Sequence, residues 1–113
     1  MTVHPPTERG ATIWLTTAAP GDAGALAEAL AARLRTLGRR AEALDARAAG
    51  LVLVGRLLAR NGVLAVAPAD GVEPGGEPGA RHELRVSVPA VPLDAGVERV
   101  MAALRERELL PAA

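Results

Sequence analysis

A chain of 113 residues is long enough for one compact domain with a modest core, and its thirteen acids balance its thirteen bases, so net charge gives no reason to invoke nucleic acid or an anionic membrane. With no cysteine there are no disulfides, no thiolate nucleophile and no cysteine-ligated metal. Every base is Arg, which excludes a Schiff-base or phosphate-gripping lysine, and with no Tyr covalent chemistry is left to Asp, Glu, His, Thr or the lone Ser87.

Half of the residues are hydrophobic, mostly Ala, Leu and Val, with Trp14 the sole aromatic. Small side chains bury little area each, so close helix–sheet packing and limited stability are expected. Residues 1–9 (Met1–Arg9) are polar and proline-containing and read as a flexible N-terminal tail, unlike a signal peptide. Residues 10–110 then form one domain. No stretch approaches the roughly 18 to 20 apolar residues that span a bilayer, so a soluble, cytoplasmic protein is expected.

Ala11–Thr16 is a short apolar run bounded by Gly10 and a turn, the pattern of a buried parallel strand. Asp22 is placed to cap a helix on which Leu26, Leu30, Leu34 and Leu37 share a face, and Gly38 is its expected stop. Arg40–Leu44 returns as a second strand ending in Asp45. Gly50–Arg60 predicts a helix with Leu51, Val54, Leu57 and Leu58 inward, stopped by Asn61-Gly62, and Val63–Ala67 a third strand. Residues 68–81, rich in Gly, Pro and acids, read as an irregular loop. His82–Val88 alternates apolar Leu84, Val86 and Val88 with polar positions, a fourth strand with one wetter face. Asp94 is the expected cap of a last helix through Arg107 that buries Val97, Val100, Met101 and Leu104, with Leu109 and Leu110 docking its end. Strand–helix alternation of this kind predicts a three-layer α/β domain with a parallel sheet and right-handed crossovers.

Where the first strand meets the first helix, a phosphate-binding loop would read G-x-x-x-x-G-K-[ST], its backbone N–H groups cradling phosphate. Aligned without a gap, the first Gly falls on Thr17, the second on Asp22, the Lys on Ala23 and the hydroxyl on Gly24. An acid at the mouth of the helix repels phosphate. The scaffold pattern is present and its chemistry is not.

Three blocks together resemble adenylylsulfate kinase, the P-loop enzyme that phosphorylates adenosine 5′-phosphosulfate on its 3′-hydroxyl. In Gly10–Leu44, G-A-T-I-W-L-T, L-A-E-A-L-A-x-R-L and G-R-R-x-E-x-L-D match the family's opening. Leu57–Val63 reads L-L-A-R-N-G-V, like that family's helix end and next strand, and His82–Leu110 is similar to its last strand and last helix. The resemblance implies a P-loop-kinase-like, Rossmann-like frame. It also sharpens the losses. The family's L-D-G-D is here Leu44-Asp45-Ala46-Arg47, its I-S-P substrate loop falls on Asp70-Gly71-Val72, and the lid and penultimate strand are replaced by the short Gly/Pro loop. Closing the family's strand order of 2-3-1-4-5 over that missing strand predicts a four-stranded sheet of order 2-3-1-4.

The residues left to carry function are few. Asp45, at the carboxyl edge of the sheet where α/β ligand sites lie, Asp70 after the third strand, and His82 beside Glu83 are the candidate catalytic groups. Thr16, Thr17 and Asp45, with Arg56 and Arg60 one helical turn apart, are the candidate ligand contacts; neither a metal site nor a cofactor is expected. For each a structural role competes: a strand-end histidine, a turn aspartate, a solvated arginine face, a helix-capping Asp22. The resemblance implies a catalytically inactive kinase-like protein that serves as a binding, regulatory or scaffold subunit, in a sulfur-activation or specialised biosynthetic setting. A homodimer or a protein partner is expected with it. The alternative is a repurposed enzyme or ligand-binding protein whose vacated cleft takes a small metabolite, with Asp45 and Asp70 as acid–base groups.

Overall fold

The computed structural model describes residues 10–18, 22–44, 51–69 and 83–110. Its elements follow the chain as β1 (Ala11–Thr17), α1 (Asp22–Thr36), β2 (Ala41–Ala43), α2 (Leu51–Arg60), β3 (Leu64–Pro68), β4 (Glu83–Val88) and α3 (Leu93–Glu106). The four strands form one parallel sheet in the order β2-β3-β1-β4. The expected order is thus the observed one. β4 lies directly against β1, with Ile13 opposite Leu84 and Leu15 opposite Val86.

The period-two alternation of β1 divides the molecule into two unequal layers. Ala11, Ile13 and Leu15 face one side, where Leu64, Val66, Leu84, Val86 and Val88 join them. Helices α1 and α3 cover that side with Leu26, Leu30, Leu34, Val97, Val100, Met101 and Leu104, all buried. Leu109 and Leu110 are buried at its edge, as expected. The Arg39 guanidinium, itself buried, donates to the carbonyl of Leu109 and ties the α1–β2 turn to this end of the chain. Thr12 and Trp14 face the other side, where the α2 layer lies.

Helix ends follow the glycines. Gly38 adopts a positive φ of 84°, and the amides of Gly38 and Arg39 close on the carbonyls of Arg35 and Leu34. Gly62, at φ 77°, ends α2 in the same way, and the Asn61 side chain adds a bond to the carbonyl of Leu57 at 2.7 Å. The third helix has no glycine at this position: Glu108 takes φ 59° and Leu109 N–H closes on Leu104.

Several expectations need correction. Leu37 is 53% exposed, because α1 stops at Thr36 and the left-handed turn at Gly38 carries Leu37 off the apolar face. Asp22 is the first helical residue of α1. Asp94 does not cap α3: Pro92 holds the N-cap position without a side-chain bond, and Asp94 sits inside the first turn. Pro68 belongs to β3, opposite Leu15, and Ala69 N–H still bonds the Leu15 carbonyl, so the strand outruns its expected end.

The largest correction concerns α2. Among its described side chains the buried positions are Gly55 and Ala59, while Val54 and Leu57, expected inside, are exposed, as is Leu53; the side chain of Leu51 lies outside the described residues. Two close approaches explain the rotation. A Cβ on Gly10 would lie 2.2 Å from the carbonyl oxygen of Ala59, and one on Gly55 would lie 2.9 Å from Thr12 Oγ1. A helix seated this near the sheet leaves no room for leucines between them.

Candidate functional site

Ligand sites in open parallel sheets lie beyond the carboxyl ends of the strands, so the site is sought where β1 and β4 end. A pocket of about 240 Å³ opens there, between the amino ends of α1 and α3. One wall comes from Thr17, Ala18, Asp22, Ala25 and Leu26 at the β1–α1 junction. The other is the β4–α3 connection, Val88-Pro89-Ala90-Val91-Pro92, with Leu93 and Gly96 of the first turn of α3. Two prolines fix φ in this connection and hold its wall in one shape.

Gly96 lets the first turn of α3 pack closely at the floor. A Cβ there would stand 3.3 Å from Leu26 Cδ1 and 3.4 Å from Val88 Cγ1, both of them pocket residues. Val91 and Leu93, 40% and 48% exposed, leave an apolar rim uncovered. Among the described lining residues Asp22 alone carries a charge. None of the described hydrogen bonds or ion pairs uses its carboxylate.

The strand alternation separates two of the expected contacts. Thr17 continues the row of Ile13 and Leu15 and lines the pocket, whereas Thr16 continues the row of Thr12 and Trp14 and is exposed on the opposite face. Arg60 lies farther away. It ends α2 next to Ala59, which abuts Gly10 at the amino end of β1, and β1 spans roughly 20 Å at about 3.3 Å per residue. Arg60 and Thr17 therefore sit at opposite edges of the sheet and form no common site. Asp45, Asp70 and His82 lie outside the described residues, as does the side chain of Arg56. Among the described residues no group of three or more His, Asp or Glu side chains is gathered to hold a metal.

Sequence reasoning missed the wall from Val88 to Gly96 and treated Asp22 as a helix cap. The signal was present in the run Val88-Pro89-Ala90-Val91-Pro92, where two prolines punctuate apolar residues between a strand and a helix. Its physical reading is a stiff apolar connection that cannot follow either element inward.

No family model matches the chain, and no curated protein matches it. Among solved structures it is similar to one described as the crystal structure of APE1195, with 24% sequence identity over 90% of this chain and 75% of that one and a TM-score of 0.49.

Proposed function

We propose that this protein is a binding or regulatory subunit built on an adenylylsulfate-kinase-like frame, and that it transfers no phosphate. The observation that carries this reading is the start of α1. Asp22, Ala23 and Gly24 open that helix at the carboxyl end of β1, in the position where a P-loop presents glycine, lysine and a hydroxyl. A helix amino end favours an anion through its free N–H groups and its dipole, worth roughly 0.3–1 kcal/mol for each charge. Asp22 supplies that anion from within the chain, so a nucleotide phosphate meets a carboxylate instead of a lysine. The pocket beside it is predominantly apolar and has no cation among its described lining residues.

A thermal-shift titration with ATP–Mg²⁺ and adenosine 5′-phosphosulfate tests the reading. A ligand at 100 times its dissociation constant raises stability by about 2.7 kcal/mol, so binding is visible if it occurs. Neither nucleotide is expected to move the melting temperature, and no radiolabelled phosphate is expected to pass to adenosine 5′-phosphosulfate. A shift with either nucleotide, or measurable transfer, overturns the proposal.

A further inference from the structure

The carboxyl-edge pocket has a charge and a shape that together define what it takes. Resting on the binding role argued above, we propose that it is a site for a small ammonium compound with an apolar body, the cation meeting Asp22. The size comes first. At about 240 Å³ the pocket falls below the roughly 300–1,000 Å³ of sites for drug-sized ligands, so its occupant is a small metabolite.

The body of the ligand follows from the walls. Leu26, Val88 and Pro92 offer hydrocarbon, and the exposed rim of Val91 and Leu93 gains from any apolar group laid over it. Gly96, inside a helix where glycine costs about 1 kcal/mol against alanine, lets α3 close on Leu26 and Val88, the side chains that line the floor. The head group follows from the charges. Both helix amino ends at the pocket carry an acid in the first turn, Asp22 on α1 and Asp94 on α3. A helix amino end amounts to about +0.5 charge, which the full negative charge of Asp22 in the lining outweighs, so an anionic head is disfavoured there. A cation placed against the exposed Asp22 carboxylate gains a charge-assisted hydrogen bond.

Three isosteric probes isolate this claim: 3-methylbutylamine, 3-methylbutanol and 3-methylbutanoate, titrated into the full chain and followed through the amide shifts of Gly96 and Leu26. The amine is expected to bind at least about tenfold tighter than the alcohol, which corresponds to about 1.4 kcal/mol. The carboxylate is expected to leave both amides in place. Asp22→Asn should bring the amine down to the alcohol, and Gly96→Ala should weaken both while preserving the far-UV circular dichroism. Equal binding of amine and alcohol overturns the ammonium assignment but leaves a small-molecule binding role standing. Silence from all three probes overturns the assignment and removes this pocket from that role. A preference for the amine that survives Asp22→Asn overturns the part given to Asp22.

Discussion

Gly24 and Gly55 are both helical glycines without positive φ, yet the space around them differs. A Cβ on Gly24 meets nothing within 4 Å, so the residue only adds the backbone entropy of glycine to the cost of forming α1. Gly24→Ala is expected to raise stability by about 0.5–1 kcal/mol. At Gly55 the same methyl would stand 2.9 Å from Thr12 Oγ1 and 3.0 Å from its Cγ2, on a side chain held in the central strand. Overpacking of this kind costs about 1–3 kcal/mol, more than the helix propensity gained. Gly55→Ala should therefore destabilise, and Thr12→Ala should restore most of the loss because it removes both clashing atoms. A double-mutant cycle by urea unfolding measures the coupling. An additive cycle would show that α2 is not seated on Thr12.

At the scale of elements, periodicity was a good guide wherever a helix packs through large side chains. On α1 and α3 the buried residues Leu26, Leu30, Leu34, Val97, Val100, Met101 and Leu104 fall where the helical repeat puts them. It failed on α2, because an apolar stripe and a small-residue stripe compete in L-V-L-V-G-R-L-L-A-R and hydropathy rewards the first. The close approaches of Gly10 to Ala59 and of Thr12 to Gly55, between residues far apart in sequence, select the second. The candidate site was half legible for a related reason. Thr17 and the carboxyl edge follow from the strand order, but the pocket wall comes from β4–α3, whose residues carry no chemical motif. Mutations separate the two kinds of helix. Leu53→Glu on α2 should change stability by no more than about 0.5 kcal/mol, whereas Leu30→Ala on α1 should cost about 2–5 kcal/mol, read from urea midpoints at constant slope. A loss at Leu53 comparable to that at Leu30 would show that the α2 face is covered in solution.

On the scale of the whole molecule, the described residues clad the sheet unevenly, and this sets the order in which it opens. The α1/α3 layer buries a continuous cluster that reaches from Ala11 to Leu110. On the other face, among the described residues, the buried cluster is Trp14 with Ala67, and Leu44 and Ala69 pack against it. That thinner layer also holds two polar atoms, Thr12 Oγ1 and Trp14 Nε1, that are buried without a hydrogen-bond partner among the described residues. Each such atom costs roughly 1–3 kcal/mol of desolvation that water would return on opening. Local opening follows the layer with the fewest buried apolar contacts, so α2 should leave the sheet before α1 and α3 do. Trp14 reports this event cleanly. It is the sole aromatic of the chain and fully buried on the face of the sheet where α2 lies, so opening of that face admits water to its indole while the opposite layer persists. In a urea titration its emission should shift to longer wavelength at a lower midpoint than the loss of far-UV circular dichroism, which α1 and α3 dominate. Amide exchange should follow the same order, with residues 55–60 losing protection before residues 26–34 and 97–104. Coincident midpoints together with uniform protection would mean that the two layers unfold as one unit, and that the sheet couples them more strongly than their unequal burial implies.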